Sequence, residues 1–269
     1  MSKYEGYLDQ LIELTRRAGA EVLQYYKENY SIEEKNDQSP VTEADYASEE
    51  ILIDGLKTTE PGIIAEEAGL IQGKSENRYW IVDPLDGTQD FIDKTGEFSI
   101  MVGLLEEGKP RLGVVFAPAM EKLWYAAEGG GAYLLDEGIE TKIRVAGKES
   151  LRDYVLIASR NHFTPQDESV ADRLGVDGIT RMGSLGIKFC SIAEGMADLV
   201  YYTTDRLGVW DCCAPQIILE EAGGEAFDIW GRELSYDLDK RRMTDGIVGI
   251  GGDARREVVK TLNEEAGEI

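Results

Sequence analysis

Cysteine and histidine are almost missing from this chain. Among 269 residues there are three cysteines, Cys190, Cys212 and Cys213, and one histidine, His162. An odd, sparse set with one adjacent pair is no disulfide framework, and a lone histidine completes no ordinary Cys/His zinc site. Buried thiols in a reducing compartment are the expectation. Basic residues are also short, with 28 Lys and Arg against 52 Asp and Glu, a net charge of −24. Such a surface excludes nucleic-acid polymers as partners and favours solubility, and it would fit a salt-rich cytoplasm. No apolar run approaches the length of a membrane span. The start, Met1-Ser2-Lys3-Tyr4-Glu5, has no signal-peptide architecture, so a cytoplasmic, acidic protein with no membrane partner is expected. No internal repeat or low-complexity segment occurs.

Carboxylates, in contrast, are abundant and in one place arranged. In Trp80-Ile81-Val82-Asp83-Pro84-Leu85-Asp86-Gly87-Thr88-Gln89-Asp90-Phe91 an apolar run ends in acids around Pro and Gly. Tyr79 to Val82 reads as a buried strand that breaks at Asp83-Pro84. Gly87 permits a tight turn, and Thr88 to Phe91 can open a helix. Asp83 and Asp86 would repel each other unless a hard divalent cation such as Mg²⁺ lay between them. The free N–H groups of Gly87, Thr88 and Gln89 at a helix start can hold a phosphate. The plain alternative for an isolated D-P-x-D is an acidic solvated turn; the strand before it and helix after it argue for a site.

Elsewhere the periodicity gives elements. Leu8, Leu11, Ile12, Thr15, Ala18, Val22, Leu23 and Tyr26 predict a long amphipathic helix. A polar link, Glu33 to Gln38, follows. Ser39-Pro40 predicts the start of a second helix, with Ser39 as N-cap and Pro40 at the first helical position. On that helix Asp45 borders the buried face, where a carboxylate needs a partner or a cation. Ile63 to Ala65 is a short strand before Glu66-Glu67, one of which can face inward. Phe98 to Leu105, Arg111 to Phe116, Leu123 to Ala127 and Ala132 to Leu135 predict an antiparallel meander, broken at Gly108-Lys109-Pro110 and Gly129 to Gly131. Beyond about residue 148, strands at Tyr154 to Ala158, Ala197 to Tyr202 and Ile247 to Ile250 alternate with helices at Pro165 to Leu174, Gly183 to Glu194, Val209 to Ala222 and Arg255 to Leu262. Two domains are expected, residues 1–148 with the metal-binding motif and 149–269 completing the metal and substrate site. Asp211 stands in the first turn of its helix, where a carboxylate complements the dipole.

These pieces together resemble the inositol monophosphatase superfamily of metal-dependent, lithium-sensitive phosphatases. The carriers are D-P-x-D-G-T (Asp83 to Thr88), the preceding Glu66-Glu67, and Trp210-Asp211 before an apolar helix ending Glu221-Ala222-Gly223-Gly224. Several stretches are similar to the 3′(2′),5′-bisphosphate nucleotidase branch, the CysQ type: Lys35 to Asp45, Arg78-Tyr79-Trp80, Gly96-Glu97-Phe98, Gly113 to Pro118, Ser159-Arg160-Asn161-His162 and Lys188-Phe189-Cys190. Three departures stand out. Gln89 replaces the usual Lys, Gly183-Ser184-Leu185-Gly186-Ile187-Lys188 is one residue longer than the branch pattern, and Tyr201-Tyr202-Thr203-Thr204 occupies the region of a phosphate-binding Arg.

The resemblance implies a mixed α+β and α/β fold, a layered αβαβα sandwich, and a homodimer. It implies that Glu66, Asp83, Asp86, Asp211 and the Leu85 carbonyl hold about two or three Mg²⁺ ions. Thr88 would orient water and Asp45 accept its proton, so Asp45, Glu66 and Thr88 form the catalytic set. Asp86, Gly87, Thr88, His162, Ser184 and Lys188 would bind a small phosphorylated substrate. The function implied is a Mg²⁺-dependent, Li⁺-sensitive phosphomonoesterase, foremost a 3′(2′),5′-bisphosphate nucleotidase hydrolysing 3′-phosphoadenosine 5′-phosphate to AMP. The rival is an inositol-1-monophosphatase or other sugar-phosphate phosphatase, fructose-1,6-bisphosphatase included. Lys188 and His162 favour the first, Gln89 and the stretch after Tyr202 the second. A non-catalytic phosphate-binding regulator is disfavoured by the complete Glu/Asp/Asp/Thr/Asp set. Lys35, Glu67 and Arg206 receive no role.

Overall fold

The computed structural model describes residues 3–28, 30–35, 39–176, 178–204 and 207–267. Part of the polar link (36–38) and Arg206 lie outside the described residues. In chain order the elements are α1 (Glu5–Lys27), β1 (Ile32–Glu34), β2 (Pro40–Thr42), α2 (Glu43–Leu56), β3 (Gly62–Ala65), β4 (Gly69–Ile71), β5 (Arg78–Asp86) and α3 (Thr88–Ile92). The meander follows as β6 (Ser99–Glu106), β7 (Lys109–Ala117), β8 (Lys122–Ala127), β9 (Gly131–Asp136) and β10 (Ile139–Ile143). The second half contains β11 (Val155–Ser159), α4 (Pro165–Leu174), β12 (Gly178–Met182), α5 (Leu185–Ala193), β13 (Leu199–Tyr202), α6 (Trp210–Glu221), β14 (Glu225–Phe227), β15 (Ile247–Ile250) and α7 (Arg255–Gly267).

The layers run αβαβα. Helices α1 and α2 cover one face of an eight-stranded sheet of order β10-β9-β8-β7-β6-β5-β3-β4. Its other face carries α5 and α6, which lie against a five-stranded sheet of order β12-β11-β13-β15-β14, closed by α4 and α7. The stripe Leu11, Leu14, Ala18 and Val22 is buried on the first sheet, as its three- and four-residue spacing dictates. Helix α6 lies between two sheets and is accordingly enclosed on every side, with Cys212 to Leu219 buried without a break. One apolar cluster joins Ile81, Met101 and Val115 of the large sheet to Phe189 and Ile192 of α5, Ile218 of α6 and Ile247 of β15.

Two expectations about the site's surroundings need correction. Pro40 begins no helix; it pairs with Glu34 in a short antiparallel ribbon, and α2 starts after Thr42. Thr42 is the better cap because its hydroxyl accepts from Ala44 N–H while Asp45 reaches back to the Thr42 backbone N–H, a reciprocal box that Ser39 cannot form. Nor does β5 stop at Asp83. Asp83 pairs with Met101 and Asp86 with Ser99, so the strand carries one extra residue across Pro84-Leu85. This bulge lets the proline sit in the strand without breaking the ladder, and it turns both aspartates toward the same cleft.

Candidate active site

The site lies where β5 ends and four helices begin. Asp83 and Asp86 come from the bulge, Thr88 from the start of α3, Asp45 from the start of α2, Ser184 from the start of α5 and Asp211 from the first turn of α6. Carboxylate oxygens of Asp83, Asp86 and Asp211 all lie within 4.8 Å of one another. Asp83 is fully enclosed, whereas Asp86 and Asp211 keep part of their surface toward the cleft. Burial pushes the carboxyl of Asp83 far above its usual range, and Glu66, Asp86 and Asp211 push it further. Asp211 is raised by burial and then by Asp86 and Glu66. Burial raises Asp86 as well, against the Ser184 hydroxyl, the Gly186 N–H and Lys188. Three acids crowded this closely cannot all ionise alone. A hard divalent cation fits the donor set, because every ligand atom offered is oxygen and its charge removes the repulsion.

Glu66 stands beside this cluster but outside it. Lys35 reaches Glu66 Oε1 at 2.8 Å and pairs with Glu67 as well. Burial works against the Lys35 ammonium, yet the two glutamates outweigh it and hold its pKa above the ordinary lysine value. Burial pushes Glu66 up to about 7. The turn bearing the two glutamates is fixed from below by buried Glu49, whose carboxylate accepts from the N–H groups of Glu67 and Ala68, both at 2.9 Å. In the sequence Glu49 stands four residues after Asp45 and so on the same face of α2, the spacing that marks it.

Asp45 is fully buried and pushed up to about 6 by that burial, against hydrogen bonds from Thr42. Its Oδ2 accepts from Thr42 N–H and Oγ1 at 2.8 and 2.7 Å, leaving Oδ1 to face the Thr88 hydroxyl at 3.2 Å. The Leu85 carbonyl lies equally near that hydroxyl, at 3.2 Å. Thr88 has one proton and therefore bonds one of the two at a time. Ser48 ties α2 to the bulge by donating to the Pro84 carbonyl at 2.7 Å. Gly87 has φ 91°, the left-handed turn its position requires.

The substrate-side residues separate. Ser184 donates to Asp86 Oδ2 at 2.5 Å, so it belongs to the carboxylate cluster. Lys188 is no surface lysine. It is only 2% exposed, donates to the Ser184 carbonyl at 3.3 Å and lies 5.6 Å from the Tyr202 ring centroid. His162 sits exposed in the bend after Ser159, with its backbone N–H donating to the Ser159 hydroxyl at 3.2 Å. The three cysteines are buried, and burial raises all their thiols, so none is a ready nucleophile.

The model of the inositol monophosphatase family matches residues 3–262. The chain belongs to that family. It is 38% identical over 235 residues to the 3′(2′),5′-bisphosphate nucleotidase CysQ of Salmonella typhimurium, covering 85% of this chain and 93% of that one. It is 31% identical over 270 residues to a Thermotoga maritima fructose-1,6-bisphosphatase/inositol-1-monophosphatase, covering 97% and 98%. A solved Thermotoga maritima IMPase superposes with a TM-score of 0.84 at 30% identity, covering 98% of this chain and 99% of that one. At the level of the superfamily the chain is a phosphomonoesterase acting on small phosphorylated substrates. The layered fold is the one these relatives share. Among the described residues no helix is long and apolar enough to cross a membrane.

Proposed function

We propose that this protein is a Mg²⁺-dependent, Li⁺-inhibited phosphatase that removes the 3′-phosphate from 3′-phosphoadenosine 5′-phosphate. The observation that carries the phosphatase chemistry is the Asp83–Asp86–Asp211 cluster with the Thr88–Asp45 pair beside it. Asp83, Asp86 and Asp211 would hold the cation, with Glu66 joining once it leaves Lys35. A divalent cation there supplies charge to neutralise the phosphate and acidifies water. The chain's own groups do the rest. Asp45 Oδ1 draws the Thr88 proton, which leaves the threonine oxygen free to accept from the attacking water. The N–H groups of Gly87 and Thr88 steady the phosphate oxygens. No covalent phosphoenzyme is needed.

The nucleotidase assignment is supported by likeness to CysQ over most of the chain. The second reading, a sugar-phosphate phosphatase, is supported by a specific observation. The Lys188 ammonium is directed to a backbone carbonyl and an aromatic face rather than to open solvent. The test is kcat/KM on the adenosine bisphosphate, inositol 1-phosphate and fructose 1,6-bisphosphate, for the native protein and Lys188→Ala. A contact to the second phosphate is worth roughly 1.5–3 kcal/mol. Its removal should therefore lower turnover of the bisphosphate nucleotide by about tenfold or more while sparing inositol 1-phosphate. Native preference for inositol 1-phosphate would replace the nucleotidase reading with the second one.

A further inference from the structure

Ser184 is a serine in a backbone conformation that serines avoid. It has φ 50° and ψ 122°, a region L residues occupy only when their surroundings impose it. The same residue gives its hydroxyl to Asp86 Oδ2, which also accepts from Gly186 N–H at 2.8 Å. Both donors reach the same oxygen of Asp86 and hold the carboxylate from the start of α5. Ser184 Oγ is also 2.9 Å from Ser99 Oγ and accepts from Ile187 N–H at 3.1 Å. The strained residue is therefore the one that aims a site carboxylate.

What imposes the strain lies just outside the site. Glu97 Oε2 accepts from Gly183 N–H at 2.6 Å, immediately before Ser184. Arg160, at the end of β11, grips both oxygens of Glu97, Nε to Oε2 at 3.1 Å and Nη2 to Oε1 at 2.6 Å. Its backbone N–H donates to the Met182 carbonyl at 3.1 Å, so the same residue holds both sides of the Gly183 bend. Asp90 completes the seat. It is 3% exposed, accepts from Thr95 Oγ1 and Asn161 Nδ2 at 2.9 Å each, and packs so tightly on Gly183 that a Cβ there would lie 2.4 Å from its Cγ.

We infer that Glu97, clamped by Arg160, is a positioning residue that holds Ser184 in its strained turn and through it fixes the cation-facing orientation of Asp86. This rests on the reading of Asp86 as a cation ligand. Arg160 and Glu97 are partly open to water, so their ion pair adds little to global stability, and its geometry is what counts. Removing an outer partner of a ligand costs about 10–100-fold in metal affinity.

The experiment is calorimetric titration of the metal-free full-length protein with Mn²⁺, paired with thermal melts of the same samples. Glu97→Ala and Arg160→Ala should bind Mn²⁺ at least about tenfold more weakly, while the melting temperature of metal-free Glu97→Ala hardly moves; Arg160→Ala also takes the cation from buried Asp90, 3.5 Å from Arg160 Nε, and should melt lower. Glu97→Gln keeps an acceptor for Gly183 N–H and should recover part of the loss. If Glu97→Ala fails to fold, Glu97→Gln and Arg160→Lys carry the same comparison. The decisive arm is the cycle with Ser184→Ala. If Glu97 acts through Ser184, Glu97→Ala should add nothing to Mn²⁺ binding in the Ser184→Ala background. Native Mn²⁺ affinity in Glu97→Ala, or additive losses in the cycle, would overturn the inference. Asp83→Asn is the control. If it binds Mn²⁺ as tightly as the native chain, the cation reading itself fails, which is a different result from a clamp that has no effect.

Discussion

The aspartates clustered at the candidate site are also the residues that strain it. Burial and its neighbours raise the Asp83 carboxyl well above the usual carboxylate range. A carboxyl whose pKa is raised by folding binds extra protons in the folded state, so its destabilising effect is absent below the unfolded value and grows as pH rises through the folded one. For Asp45, that window runs from 3.8 to about 6. Without metal, the protein should therefore melt at lower temperature at pH 7 than at pH 5. Added Mg²⁺ should raise the melting temperature more at the higher pH, since ligands must be deprotonated to bind it. Equal Mg²⁺ gains at both pH values would contradict this. Asp83→Asn should raise the metal-free melting temperature by about 2–4 °C for each kcal/mol of repulsion removed, and lose the Mg²⁺ response. Thr88→Ala should reduce turnover by on the order of 10²–10⁴ while Mn²⁺ still binds, since in the proposed mechanism the hydroxyl acts on water and not on the cation. Unchanged kcat in Thr88→Ala would remove threonine from the mechanism.

Among the elements, α6 decides where Asp211 stands, and two glycines decide where α6 stands. A Cβ on Gly113 of β7 would lie 2.5 Å from the Ala214 carbonyl oxygen, and one on Gly103 of β6 would lie 2.6 Å from Cys213 Sγ. The contact at Gly113 is with backbone, which cannot rotate away. Gly113→Ala should therefore lift the helix, cost about 1–3 kcal/mol of stability and weaken Mn²⁺ binding together. Native values of both in that variant would show the helix can settle elsewhere. These elements also mark how far the sequence could be read. The D-P-x-D-G-T stretch was legible because its strand, turn and helix start are all encoded within a dozen residues, and α1 was legible from its apolar period. The start of α2 was misplaced because Ser39-Pro40 satisfies the local rule for a helix start, whereas Thr42 satisfies it reciprocally with Asp45. Strands β4, β10, β12 and β14 were missed. Each is short, and its burial alternates weakly because it lies at a sheet edge. The burial of Lys188 was invisible because nothing local announces that a helix will be enclosed on all sides.

At the scale of the molecule, a net charge of −24 must be carried by one fold. Part of it is met by local pairs such as Arg78–Glu106 and Lys148–Asp198, and the rest repels across the surface. Salt shortens that repulsion to about 10 Å at 0.1 M. The melting temperature should thus rise between low-salt buffer and molar KCl, and no rise would mean the acids are already balanced in place. The way the site is stitched together has a consequence in time. Ser184 meets Asp86 across 98 residues of chain, and Asp211 arrives from later still. Contacts so distant in sequence form late in folding, because closing the intervening loop costs entropy before any contact repays it. The buried Trp80 and Trp124 lie in the large sheet, built largely from neighbouring strands. A refolding experiment should accordingly show the tryptophan signal first and cation binding afterwards, so that competence to bind metal marks the last step of the chain's assembly.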